Sequence, residues 1–316
     1  MQVVSSATEL VPGHRPVCVA LGVFDGVHLG HQRVIRRMVT EARACGGLGV
    51  VVTFDRHPNA VVAPGQVPPL IYCLSQKLRA LAELDVDATW VMEFDQACRQ
   101  QTGQAFIRNL AQQLGSLRSI CVGADFQFGY QRSGNVALLS ALGKELGFTV
   151  HALEPVSFEG APVSSTRIRQ AIRAGQLETA SRMLGRRYAL AGRVVEGDRL
   201  GRQLGFPTAN LDTNGLVLPP NGVYAAEARY QAQTRPAVLN VGFRPTLNRP
   251  SPQLRVEAHL LDFSGELYGQ ELELVLVARL REERPFQSLQ ALRDQIAQDV
   301  AAARLLLARA SASPPA

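Results

Sequence analysis

Ten residues at 22–31, GVFDGVHLGH, constrain this chain more than any other segment. An apolar run at 17–21 precedes them and reads as a buried strand; a helical pattern over 32–44 follows. Two histidines, His28 and His31, therefore flank Gly30 where a strand hands over to a helix. Free backbone N–H groups and the positive end of the helix dipole converge at such a junction, which makes it a natural seat for phosphate. Two imidazoles there have hydrogen bonds to give to a triphosphate and to the charge that builds on it during transfer. Surface histidines, or a metal site shared with Asp25, Asp55 and His57, are the competing readings. Phosphate stands ahead of metal, because no HExxH-type pair and no fixed third ligand accompany the motif.

Strand and helix patterns alternate to about residue 185. Apolar strand segments at 17–22, 49–54, 89–94, 119–123 and 148–153 are separated by helical patterns at 32–44, 75–84, 102–114 and 135–146, with Ser75 and Thr102 as N-caps. Strands that are apolar throughout, joined by helices, predict an α/β fold with a parallel sheet covered on both faces. Such sheets bind ligands at the carboxyl ends of their strands. The unusual loops, 24–31, 55–69, 124–134 and 155–165, all follow strands. Near 184–188 the pattern changes to short strand-like runs at 189–196, 222–230, 235–240, 255–262 and 271–277, broken by Gly, Pro and Asn. These predict a small antiparallel barrel or sandwich. An amphipathic helix over 288–308 and a Ser/Pro tail, read as disordered, complete the chain. The expected division is 1–185, 186–310 and a tail at 311–316, in keeping with a 316-residue length that exceeds most single cores.

Charge narrows the partners. The net +6 divides into +3 on 1–185 and +3 on 186–316, with no block of like charge, which favours small anionic substrates over nucleic acid. Only Lys77 and Lys144 are lysines, and neither lies in a P-loop pattern. Five cysteines without a CxxC read as reduced thiols, and neither a secretory signal nor an apolar membrane span is recognisable, so the expectation is a cytoplasmic protein.

Three further segments end at the same predicted sheet edge. TFDRHP at 53–58 brings polar groups there. GADFQFG at 123–129 alternates Phe126 and Phe128 with polar residues, which fits core aromatics or a stacked planar ligand. VSSTRIR at 163–169 opens a helix with three hydroxyls and an arginine one turn in, either as caps or as an anion site. In the second half, GDRLGRQLGFPTAN at 197–210 ends with Thr208 and Asn210 two apart on an extended segment, which puts both side chains on one face. A hydroxyl and an amide oxygen so placed suit Mg²⁺ held against phosphate; a bulged hairpin explains the glycines equally well.

Together, HxGH, GxDFxFG and SSTxxR resemble the adenylyltransferase half of the bacterial bifunctional riboflavin kinase/FAD synthetases, and GDxxGxxLGFPTAN resembles the signature of their kinase half. Segments at 256–263 and 267–269 match as well, so that the likeness covers roughly 17–300. It implies a Rossmann-like nucleotidyltransferase domain followed by a six-stranded antiparallel β-barrel. It implies that His28 and His31 stabilise attack on the α-phosphate of ATP, with Arg169, and that Gly22, Phe24, Gly30, Ser164, Ser165 and Thr166 belong to the same phosphate site. Phe54, Asp125, Phe126 and Phe128 would line the pocket for adenine and flavin. In the second half it implies Gly197, Gly205, Thr208 and Asn210 for nucleotide and Mg²⁺, Glu257 as general base toward the ribityl hydroxyl, and Arg244 against the flavin. The loops at 240–246 and 281–286 resemble those that close over flavin and ATP. Riboflavin, FMN, FAD, ATP, ADP and pyrophosphate are the implied small-molecule partners, with Mg²⁺ accompanying ATP and no permanently bound cofactor. Arg56 departs from the family, which has proline after TFD, and is expected to alter loop stiffness more than chemistry.

Two other readings carry different chemistry. A nucleotidyltransferase for another phosphate ester, such as phosphopantetheine or a nicotinamide nucleotide, has no use for a PTAN barrel. A flavin-binding regulator without catalysis has no use for His28, His31, Arg169, Asn210 and Glu257 together.

Overall fold

The computed structural model describes every residue except 11, 12, 14, 198, 199, 244–253 and 313–316. The chain forms two compact units: Met1–Leu70 with Leu74–Ser165, and Ile71–Cys73 with Thr166–Ala316. Compactness thus places the boundary at 165/166, whereas the change in sequence character falls near 185.

The first unit is built on a six-stranded sheet of β1 (Gln2–Val4), β2 (Val17–Leu21), β3 (Leu48–Phe54), β4 (Ala88–Met92), β5 (Leu117–Gly123) and β6 (Thr149–Leu153). Every pairing is parallel and the order is β1-β4-β3-β2-β5-β6. The five predicted strands are present. The edge strand β1 was not expected, because three residues carry no periodicity and their pairing with 88–90 is wholly non-local. The helices are α1 (Leu29–Ala44), α2 (Leu74–Ala82), α3 (Gly103–Leu114) and α4 (Val136–Leu146). Thr102 caps α3 as expected, its hydroxyl accepting from the Ala105 N–H at 3.2 Å. Ser75 is not an N-cap: α2 already begins at Leu74, so Ser75 lies inside its first turn. Val19, Leu21, Val50, Val52, Ile120 and Val122 pack on one side against Ile107 and Leu110 of α3 and Leu139 and Leu142 of α4. The chain runs β2, β3, β4 in one direction and then returns to place β5 on the other side of β2. The loops after β2 and β5 therefore diverge, and open a crevice at the carboxyl edge.

The second unit holds α5 (Ser165–Arg173), which begins on the last residue of the first unit, then α6 (Leu177–Leu184), a barrel and a final helix. The barrel strands are β7 (Ala189–Val195), β8 (Ala209–Asp212), β9 (Gly222–Tyr230), β10 (Gln233–Phe243), β11 (Leu254–Leu260) and β12 (Glu271–Arg281), closed in the order β7-β8-β11-β10-β9-β12. Of barrel and sandwich, the chain forms the barrel. The extended Thr208–Asn210 stretch supplies its sixth strand, β8. Leu190, Tyr224, Leu239, Ala258, Leu272 and Leu274 fill the interior and are fully buried. The last helix, α7 (Leu289–Ala312), covers Val223, Ala225 and Val238 with Ala303 and Leu307. It continues four residues past the expected end, through alanines that favour helix.

Candidate active sites

In the first unit the histidine-bearing loop is held in a conformation that few sequences adopt. Phe24 and Val27 both have left-handed backbone, at φ 51° and 41°, and Gly26 lies between them at 78°. Non-glycine residues rarely accept this geometry, least of all a β-branched one. The loop delivers His28 as the N-cap of α1: its Nδ1 accepts from the His31 N–H at 3.4 Å. A neutral His28 then carries its proton on Nε2, where it can be donated. The two imidazoles stack, centroids 3.5 Å apart and 19° from parallel. Gly30 makes this possible, since a Cβ there would stand 3.2 Å from the His28 ring. Phe24 is buried and sets its ring edge-on to His31 at 5.3 Å, so it supports the histidine. Ser165 joins the loop from the other side by donating its hydroxyl to the Asp25 carbonyl at 3.2 Å.

Beside these groups lies a cavity of about 560 Å³. Gly22, Phe54, Phe126 and Phe128 line it, together with Phe94 and Tyr130. Phe126 and Phe128 are near-parallel at 5.2 Å, and Phe54 meets Phe94 edge-on at 5.2 Å. Aromatic walls with few charges suit a large planar ligand. Asp125 is exposed and outside the cavity lining. The positions that grip Phe128 escaped sequence reasoning: a Cβ on Gly134 would reach its ring at 2.6 Å, and one on Gly103 would meet the Gly134 backbone at 2.7 Å. Gly103 falls inside the helical pattern at 102–114 and Gly134 at the end of the loop at 124–134, so neither stands out locally.

The Asp25–Asp55–His57 metal alternative finds no support among the described residues, where no three His, Cys, Asp or Glu gather around a common point. Asp55 accepts from Arg56 Nε at 2.8 Å and from the Phe94 N–H at 2.9 Å. Partial burial pushes its carboxyl up, but the Arg56 guanidinium and the Phe94 amide outweigh that and hold it below the ordinary carboxylate range. Arg56 pairs with the residue before it, Asp55.

In the second unit, strand register gathers residues that lie far apart in sequence. Asn210 on β8 stands opposite Glu257 on β11, which stands opposite Asn240 on β10. The same row continues to Val223, under α7, so these polar side chains share the outer barrel face with the helix. Thr208 precedes by two residues and alternates onto that face. Gly197 packs directly on Asn210, since its Cβ would lie 2.1 Å from the amide nitrogen. Gly205, at φ +86°, ends the short helix Leu200–Gln203, with the Phe206 N–H returning to the Gly201 carbonyl at 2.8 Å. Asn210 Oδ1 is buried and accepts no hydrogen bond among the described residues. An orphaned buried carbonyl oxygen is costly unless a donor or cation meets it. This oxygen and the Thr208 hydroxyl two residues earlier are hard donors of the kind a divalent cation takes. Arg244 lies outside the described residues. Thr166 and Arg169 stand in the first two turns of α5, where Arg169 is buried. The 281–286 segment is anchored to α7: Arg281 donates to both Asp299 oxygens at 2.8 to 3.0 Å, and Arg281 and Arg284 both lie over Phe286.

A doubly wound parallel sheet with a strand–helix histidine pair, followed by a closed barrel with a polar row beside a glycine loop, defines a two-part phosphate-transfer enzyme. The FAD synthetase family model matches 11–167 and the riboflavin kinase family model matches 184–307. The bifunctional riboflavin kinase/FMN adenylyltransferase of Pseudomonas fluorescens is 40% identical over 98% of both chains, and that of Escherichia coli K12 is 37% identical over 96% of this chain and 97% of its own. The crystal structure of a Streptococcus pneumoniae protein described as a macrolide-efflux protein has a TM-score of 0.80 and 29% identity, covering 96% of this chain and 98% of that one. Among the described residues no helix is long and apolar enough to cross a membrane. The chain belongs to the bifunctional riboflavin kinase/FMN adenylyltransferase family.

Proposed function

We infer that the chain makes FAD from riboflavin in two steps at two sites, with 186–310 phosphorylating riboflavin to FMN and 1–185 adenylylating FMN, both at the expense of ATP. The observation that carries this is the coexistence, in one chain, of the stacked His28–His31 pair beside an aromatic cavity and the Asn210–Glu257 row on a barrel.

Both families use ATP with a divalent metal; we take it to be Mg²⁺, which Thr208 and Asn210 would hold at the barrel and which would neutralise phosphate charge there. Glu257, opposite Asn210, is the general base that takes the proton of the ribityl 5′-hydroxyl as its oxygen attacks the γ-phosphorus of ATP; ADP leaves. In the first unit the FMN phosphate attacks the α-phosphorus and pyrophosphate leaves. No covalent enzyme intermediate is needed, so positioning and charge stabilisation do the work. His28 Nε2–H and His31 donate to the phosphates at the start of α1, with Ser164, Ser165, Thr166 and Arg169 of the SSTxxR motif. Phe54, Phe126 and Phe128 hold the flavin ring, and Arg244 meets flavin at the kinase site. The free cysteines support a cytoplasmic location.

The test is a timed incubation with riboflavin, ATP and Mg²⁺, with flavins separated by chromatography. FMN is expected first and FAD after it. His28→Ala should stop at FMN, whereas Glu257→Gln should make FAD from added FMN but none from riboflavin. Loss of both steps in either folded variant would contradict separate sites.

A further inference from the structure

Lys77 is one of two lysines in the chain and is only 7% exposed. It projects from α2 to where β3 ends. Its Nζ donates to the Phe54 carbonyl at 2.8 Å, to Thr53 Oγ1 at 3.1 Å and to the Val23 carbonyl at 3.4 Å. Thr53, itself fully buried, passes its own hydroxyl proton to the same Val23 carbonyl at 3.0 Å. One ammonium and one hydroxyl thus tie the end of β3 to the loop after β2. Both tied residues, Val23 and Phe54, line the aromatic cavity. Val23 immediately precedes the left-handed stretch Phe24–Val27 that presents His28. Backbone of that kind persists only where its surroundings over-determine it.

A purely structural ligament would not need a charge. Burying an ammonium is unfavourable, and an apolar side chain of the same length fills the space without that penalty. Buried charge that opposes folding concentrates at functional sites. We propose that Lys77 is a positioning residue for adenylyl transfer, its three N–H groups clamping the Val23 and Phe54 carbonyls so that the histidine loop and the aromatic wall keep their reactive spacing. The proposal rests on the reading of 22–31 as the phosphate site.

The clamp has a pH signature. Burial pushes the Lys77 ammonium down to about 8, against the pull of Asp25 in the histidine loop and Asp55 after β3, the two acidic groups that act on it. Arg56 pairs with Asp55 and further limits that pull. A neutral amine keeps two N–H groups and gains a lone pair, so it cannot serve three acceptors. Adenylyl transfer should therefore fall as pH rises through about 8. Stability should move the other way: the folded-state value lies below the ordinary lysine value of 10.5, so the folded chain sheds its proton first and gains stability between about 8 and 10.5.

The experiment uses the full-length protein with Lys77→Met, Lys77→Arg and His28→Ala, and follows both steps separately from pH 6.5 to 9.5. Lys77→Met should lower kcat for FAD formation from FMN by roughly tenfold or more, leave riboflavin phosphorylation within about twofold, and retain the parent's far-UV circular dichroism. Lys77→Arg should recover part of the rate and lose the alkaline decline, because guanidinium stays charged. A wild-type rate in Lys77→Met, or an unchanged alkaline decline in Lys77→Arg, would overturn the clamp. If Lys77→Met does not fold, the pH profile of Lys77→Arg decides alone. Retained FAD formation in His28→Ala would instead remove the phosphate-site reading beneath it.

Discussion

At the scale of single residues, both sites depend on side chains fixed by what a neighbour lacks. The His28 ring stacks on His31 because Gly30 has no Cβ, and Asn210 presents its amide because Gly197 has none. Gly197→Ala would drive a methyl into the Asn210 amide, which must shift from its place. Riboflavin phosphorylation should drop by roughly tenfold or more, with the KM for ATP rising, while FAD formation from added FMN stays at the parent rate; steady-state kinetics of the two steps checks this. Phosphorylation at the parent rate would mean that Asn210 does not hold the metal or the nucleotide. The HxGH and PTAN residues were legible in the sequence because their spacing is local. The place of Asn240 beside Glu257, and the partners of Lys77, were not: both arrive only through strand pairing and helix packing.

Among the elements, α7 and β12 are joined by more than apolar contact. Asp299, 5% exposed on α7, accepts three hydrogen bonds from Arg281 at the end of β12 and one from Gln295 at 2.9 Å. Breaking one side of a buried pair strands the other charge, which costs on the order of 3 kcal/mol, whereas the intact pair adds little to stability by itself. Asp299→Ala should therefore destabilise the barrel by about 3 kcal/mol in urea unfolding followed by circular dichroism. It should also slow riboflavin phosphorylation, since the 281–286 segment loses its anchor. A change below about 0.5 kcal/mol, the range of ordinary surface substitutions, would show that Arg281 finds water instead. The helices and long strands were legible from periodicity, with ends shifted by a few residues. The exceptions are short or rest on another element: β1 has three residues and pairs with 88–90, and β8 has four and counts as a strand only because β7 and β11 flank it.

For the whole molecule, the residues proposed for the two steps do not overlap, which predicts complementation between defective copies. His28→Ala protein should release FMN, and Glu257→Gln protein should convert that FMN, so that mixing them restores FAD formation from riboflavin with a lag that shortens as protein concentration rises. Absence of restoration, with each variant retaining its own step, would mean that FMN does not pass through solution. The sequence by itself determined the class of each half, because a parallel sheet and an antiparallel barrel impose different hydrophobic patterns and different connections. It also determined the motif residues, whose chemistry needs neighbours only a few positions away. The tertiary structure alone decided that Phe24 backs His31 while Phe54, Phe126 and Phe128 line a cavity, that Asp125 is outside it, and that Lys77 is buried against the Val23 and Phe54 carbonyls. Those assignments depend on which atoms meet across strands and loops, and contacts at long sequence separation leave no local pattern to read.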